Sequence, residues 1–319
     1  MIIVTGAAGF IGSYMVGKLN QEGYSDLILV DDFQKTNKLP NWQNKKFKQT
    51  VPRTQFFQWL ELQNPDLIQI VIHLGARTDT TDPNEHIFQE LNYDYSVKLF
   101  DFCAKHHIPF LYASSAATYG DGSQGFSDSL TNLTPLNPYA KSKHQFDLYV
   151  LNAPHKPYFW AGFKFFNVYG PNEYHKGRMA SVVFHAYHQI LSTGKLKLFR
   201  SHRPDFQDGQ QKRDFIYVKD VTEVIYFFLK ERKNPGIYNL GTGKARTFWD
   251  LGSAVFHALN IPIQIEFIDI PQDIRNNYQY FTEANMDKLK KAGYNKNFYS
   301  LEAGVQEYVQ EYLMNNSYF

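Results

Sequence analysis

The chain has 319 residues, enough for one large domain or two unequal ones. Hydrophobic residues make up 43% and charged residues 20%, so a sizeable core and an ordinary water-facing surface are both provided for. A formal net charge of +2 gives no general attraction to nucleic acid or to a membrane, and a lone cysteine, Cys103, excludes an intramolecular disulfide and a cysteine metal cluster.

The first residues, Met1-Ile2-Ile3-Val4-Thr5-Gly6, read as a strand running into a turn, without the basic start and longer apolar stretch of a secretory signal. No apolar run approaches the ~20 residues needed to span a bilayer. The cytoplasm is therefore the expected compartment, and the sequons at Asn132 and Asn315 are expected to be fortuitous. Short apolar β-branched runs at 2–5, 27–31, 67–73, 110–114 and 158–166 predict buried strands. Between the first two, Ile11, Met15, Val16 and Leu19 are spaced for one face of a helix. This β-α-β-α rhythm predicts an α/β fold with a Rossmann-type, doubly wound parallel sheet.

Gly6-Ala7-Ala8-Gly9-Phe10-Ile11-Gly12 sits where the first strand passes into that helix. Glycines at such a turn let the backbone approach a pyrophosphate, which then lies on the amides of the helix N-terminus. The second strand ends in Asp31-Asp32, where an acid accepts from the ribose of NAD and repels the extra phosphate of NADP. Lys38 and Arg53 follow, with the charge to hold that phosphate. The sequence thus carries a signal for each cofactor.

Further on, Ser115 lies at the C-terminal end of a predicted strand, the edge where doubly wound sheets place ligands. Tyr139 and Lys143 then fall four apart on one face of a predicted helix that starts after Pro138, with Asn137 as its cap. A lysine ammonium and a positive nicotinamide would both pull a phenol of ordinary pKa ~10 toward neutrality. Such a tyrosine can exchange a proton with a substrate hydroxyl while hydride moves.

After about Gly170 the rhythm breaks. Residues 199–213, rich in Pro, Gly and charge, predict a long surface loop, and strand-like segments return at 215–218 and 236–240 before a helix-rich end. The expected organisation is a cofactor-binding domain over 1–170 with returning segments at about 214–245. A smaller α/β substrate lobe is expected from 171–213 and 246–319. His106-His107 has no nearby carboxylate or third histidine, so no metal site is expected.

Several segments carry a family resemblance: Ala113-Ser114-Ser115-Ala116-Ala117-Thr118-Tyr119-Gly120, Phe165-Phe166-Asn167-Val168-Tyr169-Gly170-Pro171, His175-Lys176-Gly177 with Met179-Ala180-Ser181-Val182, Lys212-Arg213-Asp214-Phe215-Ile216-Tyr217-Val218, Asn239-Leu240-Gly241-Thr242-Gly243 and Tyr278-Gln279-Tyr280-Phe281-Thr282. The chain resembles the extended short-chain dehydrogenase/reductases of the NAD-dependent epimerase/dehydratase family, and within them it is similar to the ADP-glyceromanno-heptose 6-epimerases. H-K-G-x-M-A-S-V is what narrows the resemblance.

The resemblance implies conversion of ADP-D-glycero-D-manno-heptose to its L-glycero epimer at C6, by transient oxidation and re-reduction on a tightly bound nicotinamide cofactor, supplying heptose for the lipopolysaccharide core. It implies NADP, with NAD as the alternative, and a homo-oligomer, specifically a pentamer. Tyr139 and Lys176 match the family's two acid/base residues, and Lys143 and Ser115 complete the catalytic set. Lys176 has a second reading, as a residue that grips the nucleotide-sugar. Gly6, Gly9, Phe10, Ile11, Gly12, Asp31, Asp32, Lys38, Arg53, Gly75, Ala76, Asn92, Lys143, Val168 and Lys176 fall where the family holds cofactor. Asn167, Arg178, His185, Phe199, Arg213 and Tyr278 fall where it holds the ADP-sugar. The chain departs from the pattern at Ala7 or Ala8, at Asp32, at Leu91 and in the length of 199–213.

Two other readings stand beside this one. A UDP-sugar 4-epimerase or 4,6-dehydratase would use the same scaffold, although a dehydratase would place an Asp-Glu pair where Ala116-Ala117 stand. A non-catalytic, cofactor-sensing protein could keep the frame but would not need Tyr139, Lys143 and Ser115 together.

Overall fold

The computed structural model describes residues 1–275 and 278–319. Among these, twelve strands follow in chain order: β1 (Ile2–Thr5), β2 (Leu27–Asp31), β3 (Gln49–Pro52), β4 (Ile70–His73), β5 (Phe110–Ser115), β6 (Trp160–Phe165), β7 (Asn167–Tyr169), β8 (Leu196–Phe199), β9 (Lys212–Tyr217), β10 (Gly236–Leu240), β11 (Ala245–Thr247) and β12 (Ile265–Ile268). Seven form one parallel sheet in the order β10-β6-β5-β4-β1-β2-β3. Val4 of β1 pairs with Leu29 on one side and Ile72 on the other, so the winding direction reverses at β1. In such sheets the crevice beyond the carboxyl ends of the strands at the reversal receives the ligand.

Strands buried on both faces must be apolar throughout, which is why β1, β2 and β4 read as continuous runs rather than alternating ones. Alternate residues still face opposite ways. Ile2, Val4, Leu27, Leu29, Ile70 and Ile72 pack with Met15, Val16 and Leu19 of helix Phe10–Gln21 and with Val221, Val224 and Phe228 of helix Val218–Glu231. Ile3, Ile28, Val30, Val71 and Phe110 pack with Leu99 and Phe100 of helix Tyr95–Lys105 and with Phe146 and Val150 of helix Pro138–Asn152. A separate apolar cluster joins β8 and helices Val182–Thr193, Phe248–Ala258 and Leu301–Glu307, and reaches Phe10 and Tyr14.

Several boundaries differ from the sequence reading. The strand expected at 67–73 begins at Ile70, because the Asn64 side chain caps a helical turn, Pro65–Leu67, by accepting from the Asp66 N–H. The strand expected at 158–166 is confined to β6. β9 starts at Lys212, and Val218 already belongs to a helix. The segment 199–213 is no open loop. Its ends lie in β8 and β9, and its middle is tied back by Ser201 N–H to Asp208 Oδ1 at 2.8 Å and Gly209 N–H to the Phe199 carbonyl at 3.2 Å. β3, polar and at the sheet margin, carried no apolar signal at all.

Candidate active site

The carboxyl ends of β1, β2, β4 and β5 gather most of the residues singled out in the sequence. Gly6 leaves β1 at φ +68, and a Cβ there would come 2.6 Å from the Gly75 nitrogen beyond β4. A Cβ on Gly12 would run into the Gly6 carbonyl. Helix Phe10–Gln21 starts from Gly9 with no side-chain cap, so its first-turn amides are left to an outside acceptor. This bare helix end on a closely packed glycine turn fits the pyrophosphate of a dinucleotide.

Asp31 at the end of β2 accepts from the Ala8 N–H at 2.9 Å and the Asp32 N–H at 2.7 Å, and Lys38 pairs with it at 2.9 Å. The Arg53 N–H bonds the Asp31 carbonyl at 2.9 Å. One corner thus collects Asp31, Asp32, Lys38 and the Arg53 main chain. On the other side of the glycine turn, Gly75 donates to Thr5 Oγ1 at 3.2 Å. Asn92 is wholly buried in a wide helical turn, Gln89–Asp94. Its amide accepts from the Arg77 N–H at 2.8 Å and donates to the Arg77 carbonyl and to Ser142 Oγ, both at 3.0 Å. Asn92 therefore holds the 75–77 loop, and its own polar atoms are taken up by the protein.

β5 ends on Ser115, whose hydroxyl accepts from the Ala117 N–H at 3.1 Å and lies beside the Tyr139 phenol. Tyr139 and Lys143 share helix Pro138–Asn152, capped by Asn137, whose side chain accepts from the Ala140 N–H at 2.8 Å. Burial lowers the Lys143 ammonium to about 8, against the pull of Asp147. In the protein alone burial raises the Tyr139 phenol, and the Ser115 hydroxyl draws it back. Lys143 Nζ is buried and donates to the Ala113 carbonyl at 2.8 Å.

Lys176 lies on the helical turn Tyr174–Met179, next to Gly177 at φ +54. Its ammonium stands 5.2 Å from the centre of the Phe10 ring, against the glycine turn. Burial lowers its pKa, and Glu173 opposes this. Buried Glu173 accepts from the Gly170 N–H at 3.3 Å and Ser181 Oγ at 2.7 Å, pinning the loop that carries Lys176 at both ends.

The residues expected at the sugar fall into smaller groups. Arg213 is buried with its guanidinium 5.4 Å from the Tyr278 ring centre, and Phe199 meets Tyr278 edge-on at 5.9 Å. Asn167 lies on β7, which pairs with β9, and its side chain donates to the Asp214 carbonyl at 3.1 Å; Val168 is its neighbour on β7. Arg178 is exposed and pairs with Asp79 at 3.4 Å, while His185, also exposed, contacts the Arg178 carbonyl at 3.3 Å.

Sequence reasoning missed the buried polar frame behind these groups. Thr5 Oγ1, His73 and Ser96 form a chain with spacings of 2.6 and 2.8 Å, running from Gly75 to Asn92. Beneath β5, buried Asp147 receives Lys164 at 2.7 Å, Ser114 at 2.7 Å and Tyr112 at 3.0 Å. A lysine inside the apolar run Trp160-Ala161-Gly162-Phe163-Lys164-Phe165 was the available signal. Asp214 accepts from the Thr242, Gly243 and Ala284 N–H groups and shapes the Asn239–Gly243 turn.

Comparison with known proteins agrees with this architecture. Residues 2–241 match the model of the NAD dependent epimerase/dehydratase family, and the chain belongs to that family. It is 46% identical over 325 residues to an ADP-L-glycero-D-manno-heptose-6-epimerase of Fusobacterium nucleatum, covering 98% of each chain. It is 48% identical over 317 residues to the protein of that name from Nitratidesulfovibrio vulgaris, again covering 98% of each. The crystal structure of the Helicobacter pylori ADP-L-glycero-D-manno-heptose-6-epimerase superposes with a TM-score of 0.82 at 25% identity, over 97% of this chain and 95% of that one.

Proposed function

We propose that the protein is a nucleotide-sugar epimerase that inverts C6 of the heptose in ADP-D-glycero-D-manno-heptose, using a nicotinamide cofactor. The observation that carries this reading is the gathering of Ser115 at the end of β5 with Tyr139 and Lys143 of one helix, together with a lysine from a separate turn, Lys176, whose ammonium stands 5.2 Å from the Phe10 ring of the glycine turn. The near-complete alignment with heptose epimerases favours the heptose over other nucleotide-sugars.

In this reading Gly6, Gly9 and the first turn of helix Phe10–Gln21 hold the pyrophosphate, and Asp31, Asp32, Lys38 and Arg53 surround the adenosine ribose. Ala76 and Gly75, fixed by Asn92, line the opposite side with Val168. When bound, the nicotinamide takes up and returns one hydride. With the positive charge of the oxidised nicotinamide beside it favouring the phenolate, Tyr139, next to Ser115, would accept the proton of the C6 hydroxyl as the carbinol is oxidised to a ketone on the sugar. The ketone then turns its other face, and Lys176 supplies the proton for the second transfer. Burial lowers the Lys176 pKa, which eases release of that proton. Arg213, a planar fork between aromatic rings, suits the ADP end, with Phe199 and Tyr278 as its walls. Asn167, Arg178 and His185 complete the sugar side.

The same proposal takes NADP as the cofactor, the Lys38–Arg53 corner being its support. It takes lipopolysaccharide heptose supply as the role, the cytoplasm as the compartment, a homo-oligomer as the working form, and the cluster around β8 as the substrate lobe. No helix among the described residues is long and apolar enough to cross a membrane.

Incubation with ADP-D-glycero-D-manno-heptose, UDP-galactose and dTDP-glucose, followed by NMR of the products, tests the reaction. Inversion at C6 of the heptose alone is expected. Turnover of UDP-galactose with an inert heptose would overturn the assignment. The mass of the cofactor released on denaturation tests the NADP proposal.

A further inference from the structure

The Lys176 turn and the glycine turn are brought together by a third piece of chain, 317–319. The Phe319 ring stacks on Tyr14 of helix Phe10–Gln21, with centres 3.9 Å apart and planes inclined by 9°. Gly17, one turn further along that helix, makes room for it: a Cβ there would lie 2.6 Å from Phe319 Cε1. Lys45 covers the ring at 4.9 Å and donates to the Phe319 carbonyl. The Phe319 N–H donates to Asn172 Oδ1 at 3.0 Å.

Asn172 is fully buried and left-handed, with φ +75, and it precedes the Lys176 turn by one residue pair. Its amide donates to Ser13 Oγ at 3.0 Å, and its carbonyl accepts from Asn41 at 3.1 Å. The buried Asn41 amide also donates to the Ala8 carbonyl of the glycine turn at 2.9 Å and faces His175 Nδ1 at 3.2 Å. Tyr174, which opens the Lys176 turn, donates to the Ser317 carbonyl at 2.8 Å and meets the Tyr318 ring edge-on at 4.8 Å. Beside the Glu173 bonds to Gly170 and Ser181, the ties from Asn172, Tyr174 and His175 lead to 317–319 and to the glycine turn.

We propose that Phe319 is a positioning residue for the epimerisation: by stacking on Tyr14 and bonding Asn172, it sets the place of the Lys176 turn against the glycine turn. It touches no reacting atom and acts through Asn172 and Asn41. The inference rests on the reading that Lys176 takes part in the second hydride transfer. A displacement of about 1 Å in a reacting group can cost a hundredfold in rate, so loss of the ring anchor should be visible in turnover.

The test uses the cofactor-loaded enzyme and three variants, Phe319→Ala, Phe319→Tyr and Asn172→Gly. The last removes the amide while tolerating the left-handed backbone. Hydrogen exchange over 172–180 reads position, and steady-state kinetics reads its use. For Phe319→Ala and Asn172→Gly, exchange should quicken about tenfold or more, and kcat should fall roughly tenfold or more with KM changed less than about threefold. Phe319→Tyr, which keeps the stacking face, should behave as the parent. Unchanged exchange in Phe319→Ala overturns the proposal, as does quickened exchange with normal kcat. Lys176→Met, assayed alongside, separates the two levels. A normal kcat in Lys176→Met is the failure of the underlying reading, whereas a crippled Lys176→Met beside a normal Phe319→Ala is the failure of this inference alone.

Discussion

Lys176 and Phe10 lie 166 positions apart in the sequence, yet the ammonium of one stands 5.2 Å from the ring centre of the other. The contact places a half-buried cation on the turn that receives the cofactor, separately from the Tyr139–Lys143 helix.

Lys176→Met is accordingly expected to depress epimerisation on the order of a hundredfold while ADP-sugar affinity weakens only moderately. Reduction of an aldehyde-bearing analogue should survive, because Tyr139 still serves one face. Kinetics together with equilibrium binding decides: collapsed affinity with unchanged saturating turnover would mean that Lys176 only grips the nucleotide-sugar.

Tyr139→Phe removes the phenol that lies beside Ser115. Turnover should fall about a hundredfold or more with cofactor retained. The measurement is residual epimerisation beside the cofactor content of the purified variant, and near-normal turnover would sink the acid/base assignment.

At the Asp31 corner, Lys38 pairs with the carboxylate at 2.9 Å. Lys38→Ala removes a cation and leaves Asp31 to repel a ribose phosphate. NADP affinity should drop about tenfold or more, as for loss of a charged hydrogen bond, with a smaller change for NAD. Arg53→Ala should act in the same sense. Titration of cofactor-stripped enzyme with both nucleotides checks this, and equal losses would show that neither side chain reads the phosphate.

The pair Lys164–Asp147 is almost completely buried. Lys164→Met strands the carboxylate with Ser114 and Tyr112 as its remaining donors and should destabilise the fold by about 3 kcal/mol or more. Urea unfolding measures it. Asp147→Leu with Lys164→Met should recover part of the loss, and a double variant worse than the sum would contradict the desolvation argument.

His73 is held neutral by burial, with Lys143 adding to the effect, and its pKa is lowered to about 3. The unfolded chain binds a proton on this residue below its ordinary value near 6.5, so unfolding takes up protons between the two. The contribution is complete above about pH 6.5 and is lost as pH falls toward 3. From pH 6.5 to pH 5 the parent should lose about 2 kcal/mol more than His73→Asn. Parallel stability curves for the two would refute this role.

How much of this was legible depended on whether a residue announced itself by local pattern. β1, β2 and β5 are apolar runs bounded by turns, and the structure has them where the pattern puts them. β3 pairs through its main chain at the sheet margin and needs no apolar signal, so it was missed. Asn137 as a cap was readable because capping is local. The Thr5–His73–Ser96 chain was not, because it joins three elements whose polar residues look unremarkable separately. The same holds for Asn41 and Asn172, which bond each other across 131 positions. Spacing puts Lys143 on the right face of the helix for Tyr139 but cannot say that its ammonium donates to the Ala113 carbonyl.

The two margins of the seven-stranded sheet differ in a way that bears on behaviour at high concentration. An unprotected edge offers a row of donors and acceptors on which another chain can build. At β3 that row is broken by exposed Pro52, which has no N–H to offer. At β10 the Asn239 N–H is already taken by buried Asp128 at 2.9 Å, and its side chain is held by the Phe126 and Asn285 carbonyls. A sheet built from strongly β-forming strands is thereby stopped at both ends. Pro52→Thr, which restores a donor at an exposed margin, should leave the fold intact and raise the tendency to aggregate during refolding, as light scattering would show.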